Sequence, residues 1–256
     1  RGRQPLIFTQ AGSKGILEAG NFIYRATPLQ PDFFHISVEY LQKIGIKRLA
    51  LLTDTNTPTV VEFRTITKQL APKLKIEIVA DEEITTSAAD ISTQITKMIA
   101  AKPDAAMILM LAGRSVSAVS QLRQNGFKGR IVGNQAMGGR ALAPLGEVAD
   151  GVIWVTDFDP AQKNPGAVKF VAAYKAKYQG QTPSNFAAEG YDAIYFAALG
   201  LKKTNSVEPE AVIKGLEAAG NEGFPGALGQ VKFSARQQQG SGVMVEWRKG
   251  EEVPIQ

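Results

Sequence analysis

The sequence contains no cysteine and a single histidine, His35, among its 256 residues. Without cysteine the chain has no disulfide, no thiol nucleophile and no zinc–thiolate site, so cysteine usage gives no information on its redox compartment. With one histidine, a Ser-His-Asp triad and a multi-histidine metal site are excluded. The sequence therefore predicts no catalytic residue, no metal site and no cofactor.

Long apolar runs and clusters of basic residues are also missing. The longest apolar runs have the length of a strand, whereas a membrane-spanning helix needs ~20 apolar residues. The net charge is +5, but lysine and arginine are scattered singly, without the basic run or interleaved aromatic residues of a nucleic-acid surface. We expect no direct membrane insertion and no nucleic-acid partner, and the charge favours solubility with a mild bias toward anionic ligands.

The clearest structural signal is the stretch Pro103–Ala118. Its residues Ala105–Leu111 are apolar without alternation, which is typical of a parallel strand covered on both faces. Ala112, Gly113 and Arg114 then form a turn that opens an amphipathic helix. Because ligands of open α/β sheets bind beyond the carboxyl ends of the strands, near free helix N–H groups, this turn predicts an anion-accepting loop. The alternative is an ordinary strand-to-helix turn with a solvated arginine.

Strands and helices alternate along most of the chain, which predicts an α/β fold with a doubly wound parallel sheet. Two long helices in succession after Asp157 break the alternation, and we expect the last strand to return to the earlier sheet. The other predicted strands are Pro5–Thr9, Asn21–Thr27, Arg48–Thr53, Lys75–Ala80, Arg130–Gly133, Gly151–Thr156 and Gly242–Trp247. The predicted helices include Pro31–Ile44, one capped by Thr57-Pro58, one with a capping box at Ser87 and Asp90, Pro165–Tyr178, Asn185–Lys202 and Glu208–Ala219.

Five short motifs, in this order along the chain, resemble those of the type I periplasmic binding proteins, and within them the leucine/isoleucine/valine-binding proteins of ABC importers. The resemblance implies two Rossmann-like lobes joined by three crossovers, with a ligand trapped in the interlobe cleft. It also implies an ABC transporter permease as partner and a periplasmic location. The motifs lie at Phe22–Arg25, Asp90–Ile95, Pro103–Ala105, Glu189–Ala193 and Phe224–Phe233.

The same resemblance assigns residues 1–26 and 157–238 to an N-terminal lobe, and residues 27–156 and 239–256 to a C-terminal lobe. In the family, a signal peptide and the first strands of the N-terminal lobe precede the position that matches Pro5. We therefore expect the first lobe to be incomplete in this chain and the natural protein to be longer.

The resemblance places ligand-binding residues in both lobes. Gln10, Ala11, Gly12 and Ser13 match the loop that holds the ligand carboxylate through backbone N–H groups and a hydroxyl, which Ser13 can supply. Pro58-Thr59 stands where the family has tyrosine and glycine, and Leu111–Arg114 match an aromatic loop but contain no aromatic residue. The expected contacts from the second lobe are Thr57, Pro58, Ala112, Gly113, Arg114 and Gln135.

Gln135 decides the expected ligand, because it matches the acidic residue that pairs with the ammonium of an amino acid. A neutral amide compensates a buried ammonium poorly, whereas a carboxylate forms a strong charge-assisted bond with it. With Arg114 at the opposite lip, we expect a hydroxy, keto or aromatic carboxylate, and a branched-chain or other amino acid is the alternative. Two other classes of protein are alternatives to a binding protein. One is a cytoplasmic ligand-sensing regulator with this fold. The other is a Rossmann-type enzyme, and the missing Gly-x-Gly-x-x-Gly turn argues against the enzyme.

Overall fold

The structure, a computed structural model, describes residues 4–10 and 12–255. Within them the helices are α1 (Gln30–Phe33), α2 (His35–Lys43), α3 (Pro58–Leu70), α4 (Ser92–Ala100), α5 (Ala112–Gln124), α6 (Pro165–Lys177), α7 (Asn185–Thr204) and α8 (Pro209–Glu222). The strands are β1 (Leu6–Phe8), β2 (Ile23–Arg25), β3 (Arg48–Asp54), β4 (Glu77–Ile84), β5 (Ala105–Leu109), β6 (Arg130–Gly133), β7 (Ile153–Thr156), β8 (Phe224–Gly226), β9 (Gly229–Val231), β10 (Phe233–Ser234), β11 (Gln237–Gln238), β12 (Val243–Arg248) and β13 (Glu251–Pro254). Short 3₁₀ helices lie at Ile16–Ala19, Gln135–Met137 and Ala143–Ala149.

The chain divides into two compact units. The first comprises the described residues up to Asp32 together with Asp157–Ser241, and the second comprises Phe33–Thr156 together with the described residues from Gly242 onward. The chain therefore passes from one unit to the other three times. The α/β fold class with two lobes and three crossovers is confirmed, whereas the predicted lobe boundaries stay a prediction.

The second unit is built on a seven-stranded sheet in the order β13-β12-β7-β6-β5-β3-β4. Strands β3 to β7 pair in parallel, while β12 joins β7 in the antiparallel sense, so the late strand returns to this sheet as expected. Successive residues of β5 enter different cores: Ala106 and Ile108 pack on one side and Met107 and Leu109 on the other. Burial on both faces explains why this strand is apolar without alternation.

The first unit carries a smaller sheet in the order β1-β2-β11-β10 and the separate hairpin β8-β9. Helices α7 and α8 pack so closely that Gly215 has no room for a side chain: a Cβ there would lie 2.1 Å from the carbonyl oxygen of Gly200. Phe196 of α7 stacks on Phe233 at 4.2 Å and meets Tyr24 of β2 edge-on at 5.6 Å. These rings form the core that joins the two helices to the sheet.

The predicted bounds of β4 are wrong. The strand was expected at Lys75–Ala80 but lies at Glu77–Ile84. Lys75 has a φ of 59°, which is outside the extended region. The acidic residues beyond Ala80 remain in the strand because basic side chains compensate them, as in the 2.7 Å ion pair of Asp81 with Arg64.

The predicted capping box at Ser87 and Asp90 does not form. Helix α4 begins at Ser92, and Asp90 accepts hydrogen bonds from the backbone N–H and the hydroxyl of Ser92, both at 2.8 Å. The helix predicted at Pro31–Ile44 is divided into α1 and α2 at Phe34, whose ring stacks on Phe63 at 4.2 Å. His35, beside this division, is half-buried.

Candidate functional site

The structure brings the predicted ligand-binding residues of the second unit to one edge of its sheet. Thr57 and Pro58 follow β3, Ala112–Arg114 follow β5, and Gln135 follows β6. These three strands are parallel neighbours in the order β3-β5-β6, so their carboxyl ends lie side by side. This is the edge at which open α/β sheets bind ligands.

Thr57 and Pro58 form the N-terminal end of α3. The backbone of Thr57 is extended at the N-cap position and Pro58 occupies the first turn, as predicted. The Thr57 side chain makes no capping hydrogen bond, which corrects that part of the prediction. Its carbonyl oxygen instead accepts the N–H groups of Val60 and Val61, both at 3.1 Å.

Arg114 is held by a network that the sequence analysis missed. Asp54, at the end of β3, is fully buried, and both its carboxylate oxygens accept a hydrogen bond from the Thr86 hydroxyl, at 2.9 and 2.7 Å. The backbone N–H of Asn56 donates to the same carboxylate at 3.0 Å, and the backbone N–H of Thr86 donates to the Asn56 side chain at 3.0 Å.

The guanidinium of Arg114 completes this network. Its Nη1 donates to the backbone carbonyl of Thr86 at 3.1 Å, and its Nε is buried with no hydrogen-bond partner among the residues that the structure describes. Arg114 is half-buried at the carboxyl edge. Asp54 stands at the end of an apolar strand, but nothing in the sequence links it to Thr86, 32 residues away.

Gln135 lies in a short 3₁₀ turn packed directly on the end of β6. Its side chain is 2% exposed. The turn is capped by Asn134, whose Oδ1 accepts the N–H of Ala136 at 3.0 Å and whose Nδ2 donates to the carbonyl of Met110 at 3.2 Å. An amide is buried at a lower free-energy cost than an ionised carboxylate, so this enclosed position suits glutamine.

The predicted carboxylate-binding loop of the first unit follows β1. Gln10 has a φ of 57°, in the left-handed region, and Gly12 is buried. Ala11, which belongs to the same prediction, lies outside the described residues. The carbonyl oxygen of Ser13 accepts a hydrogen bond of 2.7 Å from Nη2 of Arg25.

Arg25 itself was not predicted as a site residue, although it ends the Phe22–Arg25 motif. It is 2% exposed and pairs with Phe8 in the register of the parallel strands β1 and β2. Burial lowers the pKa of its guanidinium, and the charge of nearby Asp32 raises it. A buried arginine cannot be distinguished from a surface one by sequence alone, so no signal identified it.

A concave surface that contains none of the predicted residues lies between α6 and α7 in the first unit. It is an open, largely apolar groove of about 710 Å³. The side chains of Tyr178, Tyr191, Ile194 and Tyr195 line it and are exposed, Ile194 by 74%.

Across residues 4–10 and 12–255, no group of three acidic or histidine side chains is placed to hold a metal ion. In the same part of the chain, no helix combines the length and the apolar character needed to cross a membrane.

A family model described as "Periplasmic binding protein" matches residues 3–251. None of the curated proteins matches the chain. Solved structures match it over nearly its whole length, three of them at sequence identities of 20 to 25%.

Three of these structures are informative. A leucine-binding protein, LivK, from Thermotoga maritima is 23% identical, with a TM-score of 0.87 over 99% of this chain and 73% of that one. A branched-chain amino acid transporter substrate-binding protein, LivJ, from Streptococcus pneumoniae, in complex with isoleucine, is 25% identical, with a TM-score of 0.85 over 98% and 72%. A solute-binding protein of an ABC transporter from R. palustris, in complex with benzoate, is 20% identical, with a TM-score of 0.86 over 98% and 70%.

Proposed function

The chain belongs to the periplasmic binding protein family, whose model spans residues 3–251, and from this premise we propose that it captures a small organic, keto or aromatic carboxylate for an ABC importer. Its role is that of a solute-binding protein. The protein's partner is the permease of the importer. The protein acts in the periplasm and catalyses no reaction. The two units act as the two lobes of the family, and the ligand contacts both sets of predicted residues.

The ligand class is supported first by the similar proteins. Benzoate is bound by the R. palustris protein and isoleucine by LivJ. The two ligands share a carboxylate and an apolar body and differ in the α-ammonium group. A carboxylate is therefore the common chemistry, and the ammonium is the point at which specificity has to be decided.

The observation that carries the choice is the burial of Gln135. Its neutral side chain is 2% exposed at the position that the resemblance gives to the ammonium-pairing acid. An ammonium ion brought to this position would meet an amide in place of a carboxylate, which leaves its charge poorly compensated. A carboxylate without an ammonium group avoids this cost and gains from the guanidinium of Arg114 at the same edge of the sheet.

A second candidate is a branched-chain amino acid, which the structural likeness to LivK and LivJ favours. Titration calorimetry with benzoate, phenylpyruvate and leucine separates the two. We expect heat of binding with at least one of the two acids and none with leucine, and tight leucine binding contradicts the proposal. Gln135→Glu is the matched variant: it should weaken binding of the acids and raise the affinity for leucine, because it restores a negative charge opposite the ammonium.

A further inference from the structure

Arg25 is a buried cation placed beside the predicted carboxylate-binding loop. The parallel register of β1 and β2 pairs it with Phe8, two residues before Gln10. Its Nη2 donates to the carbonyl of Ser13, at the far end of the loop, over 2.7 Å. The guanidinium therefore ties the end of the loop to the strand next to its beginning.

In the described part of the chain, no carboxylate forms a hydrogen bond with the guanidinium of Arg25. Its Nε has no hydrogen-bond partner in the described part of the chain. Among residues 4–10 and 12–255 the one hydrogen-bond partner of its side chain is the Ser13 carbonyl, and the nearby carboxylate of Asp32 acts on it through a charge interaction. Buried charges in proteins are normally paired, because an unpaired one costs several kcal/mol of desolvation. A buried, unpaired guanidinium favours an anion in its vicinity.

A second arginine in the same unit shows the contrast. Nη1 of Arg236 donates to three backbone carbonyls, those of Leu17, Ile23 and Gly20, the first two at 3.1 and 3.2 Å. Arg236 thus fastens a segment of backbone that lies outside the predicted loop. Among the residues that the structure describes, the Arg25 side chain makes one hydrogen bond, and it goes to Ser13 of the predicted loop.

The loop itself needs an external support. Gln10 adopts the left-handed region at a φ of 57°, a conformation that non-glycine residues rarely adopt and that persists only where surrounding contacts enforce it. Gly12, two residues on, is buried. The hydrogen bond from Arg25 to Ser13 supplies such a contact on the far side of the turn.

We propose that Arg25 is a positioning residue of the carboxylate site: it fixes Ser13, at the end of the predicted loop, through the Ser13 carbonyl, and its charge makes the site prefer an anionic ligand. The inference rests on the proposed function, because it takes this loop to hold a carboxylate. It assigns to the protein a charged group that acts on the ligand without a direct hydrogen bond to it.

The test compares an acid with its neutral amide. Calorimetry with benzoate and benzamide, and with leucine and leucinamide, gives the acid-to-amide affinity ratio of each pair. Arg25→Met should lower this ratio roughly 10- to 100-fold, as expected for loss of one charge interaction at reduced dielectric, because the neutral amide loses only the support of the loop and weakens less than the acid. Arg236→Met is the control: it should lower stability and leave the ratio unchanged. Equal weakening of acid and amide in Arg25→Met, or no change in either, overturns the proposal.

Two further measurements keep the test decisive. Arg25→Lys retains the charge, so it should keep the acid preference even if Arg25→Met does not fold, and loss of that preference in a folded Arg25→Lys protein contradicts the proposal. Without ligand, hydrogen exchange of segment 10–13 should be faster in Arg25→Met and in Arg25→Lys than in the unmodified protein. Unchanged exchange would show that Arg25 does not fasten the loop. If the unmodified protein binds neither benzoate nor leucine, the proposed function fails. The hydrogen-exchange result then tests by itself whether Arg25 fastens the loop.

Discussion

The carboxylate of Asp192 predicts a specific dependence of stability on pH. It lies on α7, and its two oxygens accept the backbone N–H groups of Ala227 and Leu228, at 2.6 and 2.9 Å. Burial raises its pKa from 3.8 to about 6, against the lowering effect of the two backbone hydrogen bonds. A carboxyl whose pKa is higher in the folded than in the unfolded state binds its proton more tightly when folded. Its contribution therefore stabilises the fold below pH 3.8 and is lost as the pH rises through about 6.

The magnitude follows from the two pKa values. The difference between 3.8 and about 6 corresponds to about 3 kcal/mol over the whole range. Between about pH 7.5 and about pH 5, linkage gives a gain of about 1.4 kcal/mol in the free energy of unfolding. Asp192→Asn removes the ionisation and should abolish this gain.

The assay has to report on the first unit. Trp154 and Trp247 both lie in the second unit, so tryptophan emission follows the wrong part of the molecule. Hydrogen exchange of α7 peptides at increasing urea gives the free energy of unfolding of the first unit at the two pH values. Glu208→Gln, which removes an exposed carboxyl of the same unit, is the control and should keep the gain. An equal gain in the unmodified protein and in Asp192→Asn refutes the reasoning.

Two further predictions concern the second unit. Asp54→Ala removes the acceptor of the Thr86 hydroxyl and should lower the free energy of unfolding by roughly 2 kcal/mol, measured by urea unfolding with tryptophan emission; an unchanged midpoint contradicts the network. In Gly133→Ala the new Cβ would lie 2.2 Å from the sulfur of Met137, so overpacking should cost roughly 1 to 3 kcal/mol in the same assay. Gly113→Ala, whose Cβ meets no atom within 4 Å, should cost less, and equal losses in the two variants refute the account.

Patterns that depend on burial of a single element were predictable from the sequence. The unbroken apolar run of β5 identified a doubly covered strand. Ala112–Arg114, predicted as a turn at the carboxyl edge, lie at that edge but form the first turn of α5. The proline and threonine at the start of α3 marked that helix correctly, because backbone conformation at a helix start depends on local sequence.

Features that depend on distant partners were not predictable. The bounds of β4 follow from ion pairs such as that of Asp81 with Arg64, which sequence spacing does not reveal. The support of Arg114 needs Thr86 and Asp54, which lie 32 residues apart. The burial of Arg25 follows from the pairing of β1 with β2, since an arginine in a short strand is compatible with either a surface or an interior position.

The central claim, capture of a small carboxylate at the predicted residues, is tested most directly by hydrogen exchange of the protein with and without saturating benzoate. The account predicts slower exchange in segments 10–13 and 112–114 and no change in the groove between α6 and α7. Protection confined to that groove, around Tyr191 and Ile194, or no protection in any segment, would contradict it.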